Sequence, residues 1–217
     1  MSFDVKIRPG MSGAFITFEG IEGSGKTTQA KLLKGYLESK GLEVVLTREP
    51  GGTELSERIR QLLADPSLPI RPEAELMLFM ASRAQHVREL IRPALERGAT
   101  VICDRFADSS AAYQGYGRGI DLELISALNE FATGGLKPDL TILLDLDPEE
   151  GLRRARRGRG DLDRIELEEL EFHRRVREGY LEMARREPDR FVVIRADVDI
   201  DSVHRRVREA VERCLGM

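Results

Sequence analysis

A glycine-rich segment lies between a short apolar run and a helical stretch near the start of the chain. It consists of Gly20, Ile21, Glu22, Gly23, Ser24, Gly25, Lys26 and Thr27. The segment fits the pattern G-x-x-x-x-G-K-S/T, in which glycines let successive backbone N–H groups point at an anion. In that pattern the lysine reaches the β- and γ-phosphates of a nucleotide, and the threonine hydroxyl is placed for Mg²⁺. The strand before it and the helix after it favour a phosphate-binding loop over a glycine-rich turn that only caps a helix.

Apolar runs and helical periodicity alternate along the rest of the chain. The predicted strands are residues 14–18, 44–47, 100–103, 140–144 and 191–194. The predicted helices are residues 26–40, 53–63, 72–97 with a bend at Pro93, 121–132, 165–187 and 201–215, and one that starts at Asp147. This alternation predicts an α/β fold in which helices cover both faces of a parallel sheet, giving three layers. Ligands of such folds bind at the carboxyl ends of the strands.

The charge balance excludes some classes of partner. The 217 residues include 34 Lys and Arg against 38 Asp and Glu, a net charge of -4. A duplex-DNA or anionic-membrane binder needs a positive face, so we expect neither nucleic acid nor membrane as a partner. The two cysteines and three histidines lack the spacing of a disulfide framework or a zinc site. We expect a cytoplasmic protein with one domain over residues 13–217, preceded by a disordered extension over residues 1–12.

A phosphate loop also needs a carboxylate to hold the metal, usually at the end of a neighbouring apolar strand. Asp104 follows one predicted strand, and Asp145 and Asp147 follow another. Asp147 precedes Pro148 and is suited to cap a helix. We therefore favour Asp104 as the metal ligand, with Asp145 as the alternative.

Arginines are concentrated near one pair of glycines. Six of them fall between residues 153 and 164, at positions 153, 154, 156, 157, 159 and 164. A solvated helix face is the ordinary explanation of such a run. Gly158 and Gly160 argue against a stable helix there, so we predict a mobile lid over residues 153–164 that closes over a nucleotide.

Other candidate residues follow the strands or share a helix face. Arg48 and Arg105 come after predicted strands and are suited to bind a second phosphate in a bidentate manner. Phe79 and Arg83 are four residues apart and share a helix face. Core packing with a surface charge explains that pair equally well.

Six segments of the chain together resemble the thymidylate kinase family. They are FEGIEGSGKTTQ (18–29), TREPGGT (47–53), LFMASRAQH (78–86), CDRFADSSAAYQGYGRGID (103–121), KPDLTILLDLDPEEGLRRA (137–155) and DRIE (163–166). The resemblance implies a P-loop NTPase fold with a five-stranded parallel sheet, a homodimer and a closing lid. It also implies phosphorylation of dTMP to dTDP with ATP and Mg²⁺. The alternatives are another nucleoside monophosphate kinase or a P-loop regulatory switch that binds ATP.

The resemblance assigns roles around the base and sugar of dTMP. Phe79 would stack on the thymine and Arg83 would hydrogen-bond its exposed edge. Ser110 and Gln114 would lie near the base. Tyr113 would crowd the 2′ position and so disfavour ribonucleotides.

It also assigns roles at the phosphates. Glu22 would contact the sugar 3′-OH, and Arg105 would hold the dTMP phosphate, with Arg48 also near it. Asp104 and Thr27 would hold the metal, and Lys26 would act on the transferred phosphoryl group. Arg154 would lie near the adenine of ATP.

One position separates two classes of the family. Some members carry a catalytic arginine inside the phosphate loop, at the place that Gly23 occupies here. This chain therefore resembles the class whose lid supplies that arginine, and Arg157 or Arg159 is the candidate. Phe106 stands where many relatives have Tyr, and Ser110 where some have Asn, and both differences affect only local contacts with the base and backbone.

Overall fold

The computed structural model describes residues 12–159 and 164–217, so residues 1–11 of the predicted extension and residues 160–163 of the predicted lid lie outside it. The sheet has five parallel strands: β1 Phe15–Glu19, β2 Val44–Arg48, β3 Thr100–Asp104, β4 Leu140–Asp145 and β5 Phe191–Arg195. Their order across the sheet is β2-β3-β1-β4-β5. The predicted α/β class with a five-stranded parallel sheet is confirmed. β1 is central, and its carboxyl end meets those of β3 and β4.

Nine α-helices surround the sheet in the described part of the chain. They are α1 Lys26–Ser39, α2 Glu54–Ala64, α3 Pro72–His86, α4 Arg92–Glu96, α5 Ala107–Ser110, α6 Leu122–Thr133, α7 Pro148–Arg159, α8 Leu170–Arg186 and α9 Ile200–Leu215. Two π-helical segments, Val87–Ile91 and Ala111–Gly117, continue α3 and α5. None of the helices described is long and apolar enough to cross a membrane.

Apolar residues pack on both faces of the sheet. Ile16 and Phe18 of β1 belong to a core that includes Leu33 and Leu37 of α1. Phe15 points to the opposite face and packs in a second core with Leu95 of α4. Successive residues of a strand face opposite sides, so a strand buried on both sides is apolar throughout.

The helix boundaries differ from the prediction in three places. Residues 72–97 form α3, a π-helical segment and α4 rather than one helix bent at Pro93. The helix predicted over residues 165–187 begins only at Leu170. α7 extends to Arg159, so the part of the predicted lid before residue 160 is helical rather than a loop. Gly158 lowers the local helix propensity. Helical hydrogen bonding opposes this effect, as do the ion pairs of Glu150 with Arg153 at i, i+3 and with Arg154 at i, i+4.

The carboxyl group of Glu19 joins the end of β1 to two other elements. It is fully buried. Its Oε1 accepts a hydrogen bond from the backbone N–H of Phe106 at 2.7 Å, and its Oε2 accepts from the hydroxyls of Ser109 and Tyr180 at 2.6 and 2.8 Å. Burial, together with the nearby carboxylate of Asp108, raises the pKa of Glu19 from 4.5 to about 7. One carboxyl thus holds the segment after β3, and α8, against β1.

The raised pKa predicts how the contribution of Glu19 to stability depends on pH. The folded state binds this proton more tightly than the unfolded chain, whose carboxyl has a pKa of 4.5. Its contribution is therefore fully present below pH 4.5 and is lost as the pH rises through about 7. The free energy of unfolding of the wild type, relative to that of the Glu19→Gln variant, should fall by about 2 to 3 kcal/mol between roughly pH 5 and 8. Urea denaturation of both proteins at each pH measures it, and a pH-independent difference would contradict the assignment.

Candidate active site

The glycine-rich segment forms the loop between β1 and α1. α1 begins at Lys26, so the N–H groups of its first turn face the loop. Gly23 has φ 69°, and an added Cβ at this position would lie 2.1 Å from the carbonyl oxygen of Gly151 in α7. The loop and α7 therefore approach each other too closely for any side chain at residue 23. This contact is the physical reason that an arginine is not accommodated there.

Lys26 is folded back onto the phosphate loop. Its Nζ donates hydrogen bonds to the carbonyl oxygens of Gly20 at 3.0 Å and Ile21 at 2.7 Å, and lies 3.4 Å from Oγ of Ser24. Only 7% of the residue is exposed. Burial, followed by the positive charge of Arg105, lowers the pKa of Lys26 to about 8. Burial removes part of the water around the ammonium group, which strengthens its attraction to a phosphate.

Thr27 and Asp104 lie together beside the loop. The Thr27 hydroxyl donates to Oδ2 of Asp104 at 2.5 Å. The alternative carboxylates are engaged elsewhere, since Asp145 pairs with Arg177 at 2.6 Å and Asp147 accepts hydrogen bonds from the first turn of α7. Hydroxyl and carboxylate oxygens fit Mg²⁺, which usually takes few protein ligands and fills its shell with phosphates and water.

Arg105 lies at the end of β3 in a strained backbone conformation. Its φ is 71°, in the left-handed region that residues other than glycine rarely adopt. The bond from the next backbone N–H, that of Phe106, to Glu19 helps hold this conformation. The guanidinium donates to the carbonyl oxygen of Gly20 at 2.9 Å, Oε1 of Glu22 at 2.8 Å and the hydroxyl of Tyr113 at 3.1 Å. The strain aims the cation across the phosphate loop.

Glu22 is ionised despite its burial. Burial by itself would raise the pKa of its carboxyl, but the charge of Arg105, the approach of His173 and the charge of Lys26 outweigh it and hold the pKa well below the usual range. The hydroxyl of Tyr113 also donates to Oε1 at 2.6 Å. The site therefore contains a fixed negative charge between two cations.

A cavity of about 460 Å³ joins the phosphate loop to a more apolar end. The predicted site residues that line it are Glu22, Gly23, Gly25, Lys26, Thr27, Arg48, Phe79, Arg83, Asp104, Arg105, Ser110, Tyr113, Gln114 and Arg154. The cavity has the size of a nucleotide-binding site. Residues from the loop after β1, from β2, β3, α1, α3 and α7, and from the segment after β3 thus meet in one space.

Arg83 forms the polar part of the end away from the loop. It is 1% exposed. Its Nε donates to Glu49 at 2.7 Å, Nη1 donates to Ser110 at 2.9 Å and Asn129 at 2.6 Å, and Nη2 donates to the carbonyl oxygen of Phe106 at 3.0 Å. Four of the five N–H groups of this guanidinium have these partners, so Arg83 is held rigidly in place beside the cavity.

Of the side chains that hold Arg83, Ser110 was predicted as a site residue, but Glu49 and Asn129 were not. Oε1 of Glu49 also accepts a hydrogen bond from Nδ1 of His86 at 3.1 Å, and Nε2 of His86 lies 2.7 Å from Oγ1 of Thr47. An added Cβ at Gly52 would lie 2.6 Å from both Nε2 of His86 and Oγ1 of Thr47. The segment TREPGGT was the available signal, because it contains Thr47, Glu49 and Gly52.

A second unpredicted carboxylate lies beside Gln114. Glu75 of α3 is buried and accepts from Nε2 of Gln114 at 2.8 Å and from Arg118. Arg164 also donates to Glu75 and to the carbonyl oxygen of Leu63. The last arginine of the predicted lid is therefore tied to α2 and α3.

The other predicted residues either are not among those that line the cavity or also pair with carboxylates outside it. Gly20 and Ile21 contribute carbonyl oxygens to Lys26, and Ser24 is a buried residue of the loop. Arg48 pairs with Glu57 at 2.9 Å, and Arg154 pairs with Glu150 and donates to the carbonyl oxygen of Ala196. Arg157 is exposed on α7 and is not among the residues that line the cavity. The side chain of Arg159 lies outside the described part of the chain.

Comparison with known proteins identifies the family. The profile of the thymidylate kinase family matches residues 18–207. A thymidylate kinase from Desulfosudis oleivorans is 55% identical over 206 residues, covering 92% of this chain and 96% of that protein. One from Carboxydothermus hydrogenoformans is 58% identical over 175 residues, covering 81% of this chain and 86% of that protein.

A solved structure agrees with these matches. The crystal structure of thymidylate kinase from Ehrlichia chaffeensis superposes with a TM-score of 0.75 and 42% identity, covering 92% of this chain and 99% of that one. The sequence matches and the structural match both extend over most of the chain, and the phosphate loop, Asp104 and Arg105 converge on one cavity. The chain therefore belongs to the thymidylate kinase family.

Proposed function

We propose that the protein transfers the γ-phosphoryl group of ATP to the 5′-phosphate of dTMP with Mg²⁺, giving dTDP. The observation that carries this proposal is the single cavity, which has the phosphate loop at one end and Phe79 with Arg83 at the other. A nucleotide donor and a nucleotide acceptor that meet in this space would bring their phosphates together near Lys26 and Arg105.

The donor side uses the loop and α1. The backbone N–H groups of residues 20–27 would surround the β- and γ-phosphates, and Lys26 would leave the carbonyl oxygens of the loop to bind them. Thr27 and Asp104 would hold Mg²⁺, which supplies neutralisation of phosphate charge when it is bound.

The acceptor side uses β3 and α3. Arg105 would bind the 5′-phosphate of dTMP, and Phe79 would stack on the thymine while Arg83 donates to its edge. Glu22 would accept from the sugar 3′-OH, and Tyr113 would crowd the 2′ position. Ser110 and Gln114 would lie near the base, and Arg48 near the acceptor phosphate.

The chemical step needs little proton transfer. The acceptor oxygen of dTMP is already ionised near neutral pH, so no strong general base is required. Positioning of the two phosphates and stabilisation of the spreading negative charge would account for the rate. Arg154 lines the cavity where the adenine would approach, and Arg157 or Arg159 would supply a further positive charge.

We also propose a cytoplasmic homodimer. α3 and α6 carry large apolar side chains that face solvent in one copy of the chain, namely Met77, Leu124 and Phe131. Phe131 is 82% exposed. Contact with a second copy would remove these side chains from water.

A panel of acceptors tests the function. With ATP and Mg²⁺, dTMP should give the highest kcat/KM, measured by coupled ADP release. The value for dUMP should be about 10- to 100-fold lower, because it lacks one methyl group. A preference for UMP, CMP or AMP over dTMP would contradict the proposal, as would ATP hydrolysis without transfer to any acceptor.

Lysine at residue 26 should be required for transfer. The Lys26→Ala variant should lose at least about 1,000-fold in kcat, because the transferred group loses its nearest cation. Lys31→Ala, at an exposed position of the same helix, is the matched control and should keep wild-type kcat. Both rates are measured with dTMP at saturating ATP. A Lys26→Ala variant with near wild-type activity would overturn this role of Lys26.

Because Gly23 lies against Gly151, a side chain added at residue 23 should reduce activity toward ATP. Gly23→Ala should lower kcat/KM for ATP about tenfold, because residue 23 has φ 69° and a Cβ there meets the carbonyl oxygen of Gly151. The matched control is Gly35→Ala in α1, where an added Cβ has nothing within 4 Å. It should keep full activity and raise the free energy of unfolding by about 0.5 to 1 kcal/mol. Equal activity of the two variants would contradict the close approach.

A further inference from the structure

His173 of α8 has incomplete hydrogen bonding at the edge of the acceptor site. It is 1% exposed. Neither ring nitrogen has a hydrogen-bond partner among the residues that the structure describes, and the same holds for Oε2 of Glu22. Nδ1 of His173 lies 3.5 Å from that oxygen. Because buried polar groups are normally hydrogen-bonded, a donor and an acceptor left this close together indicate a bond that forms in another state of the site.

The packing of His173 does not use its nitrogens. Its ring meets Phe172 edge-on, with the ring centres 5.3 Å apart. That contact fills space and explains why the residue is buried. It leaves Nδ1 at 3.5 Å from Oε2 of Glu22, near enough to affect the pKa of that carboxyl and too far for a strong hydrogen bond in the described arrangement.

The state in which the bond forms follows from the contacts of Arg105. Its Nη1 donates to the carbonyl oxygen of Gly20 and lies 3.3 Å from the hydroxyl of Tyr180, while its Nη2 donates to Glu22 and Tyr113. The four terminal N–H groups of this guanidinium therefore already have acceptors. To bind an acceptor phosphate through these terminal nitrogens, in the bidentate manner expected of it, Arg105 has to give up at least one of them.

Glu22 is the acceptor that competes most directly with a phosphate. It is the one carboxylate within hydrogen-bond distance of Arg105 among the described residues, at 2.8 Å. When Arg105 turns to a phosphate, the carboxylate of Glu22 loses its ion pair while only 11% exposed. A buried carboxylate that loses its partner is destabilised unless another donor replaces it. His173 is the donor nearest to its free oxygen.

We propose that His173 is a positioning residue, whose Nδ1–H bonds Oε2 of Glu22 when Arg105 moves to the acceptor phosphate. This inference rests on the proposed function. The bond keeps Glu22 oriented toward the acceptor sugar. It also lowers the free-energy cost of moving the Arg105 guanidinium from the Glu22 carboxylate to the acceptor phosphate. His173 itself touches neither substrate.

Two substitutions of the same shape test the role of the donor. His173→Asn retains an N–H near the position of Nδ1, whereas His173→Leu has similar size and no donor. We expect the Leu variant to bind dTMP about tenfold more weakly than the wild type, and the Asn variant to stay within about threefold, as a bond to a charged group predicts. Calorimetric titration with dTMP and steady-state KM measure this. KM for ATP should be unchanged in both variants.

Coupling to Glu22 separates positioning from general damage. In a Glu22→Ala background, the difference in kcat/KM for dTMP between the Asn and Leu variants should disappear, since the acceptor of the bond is gone. A difference that persists in this background would overturn the proposal, as would equal dTMP affinity of the two variants with Glu22 present. If His173→Leu does not fold, as judged by its thermal unfolding, His173→Phe takes its place in the same comparison.

The wild type distinguishes failure of this inference from failure of the proposed function. A wild-type protein that does not phosphorylate dTMP contradicts the function. A wild-type protein that does so, with Asn and Leu variants indistinguishable, contradicts only the role of His173.

Discussion

The buried carboxyl of Glu19 joins the two strand ends between which the active site lies. It accepts the N–H that follows Arg105, so the left-handed backbone of that arginine is held from β1, the strand that leads into the phosphate loop. Its other oxygen binds Ser109 and Tyr180, which brings α8 to the same point. The cost of burying this carboxyl is evident in its raised pKa. The position of Arg105 relative to the phosphate loop is thereby set by short hydrogen bonds rather than by a flexible loop.

The cations of the site are bound by the chain's own oxygens. Lys26 and Arg105 both donate to the carbonyl oxygen of Gly20, and Arg105 also pairs with Glu22. The net charge of the whole chain, -4, is compatible with a positive site, because oxygens of neighbouring residues hold Lys26 and Arg105 close together. In the proposed function, binding of phosphates would be an exchange of acceptors. Such an exchange would explain why Glu22 and His173 lie beside Arg105.

Much of the fold was predictable because its signals are local. All five strands lie within one residue of their predicted bounds, since a parallel strand buried on both faces is an apolar run. The helical segment over residues 107–117 was not predicted, because its small residues and glycines carry no apolar periodicity. It is helical because it packs against α8 and is anchored by Glu19. α7 likewise continues through the arginine-rich segment as far as Arg159, against the expectation from Gly158.

The sequence by itself determined the phosphate loop, the parallel α/β arrangement and the family, because each depends on residues that are close in the chain. Only the tertiary structure decided how the site is held. Glu49 meets Arg83 across 34 residues, Glu19 meets Phe106 across 87, and the approach of Gly23 to Gly151 joins the loop to α7. The proximity of His173 to Glu22 belongs to the same group. Such pairs leave no periodic or spacing signal in a single sequence, since strand order and helix packing bring them together only after the chain has folded.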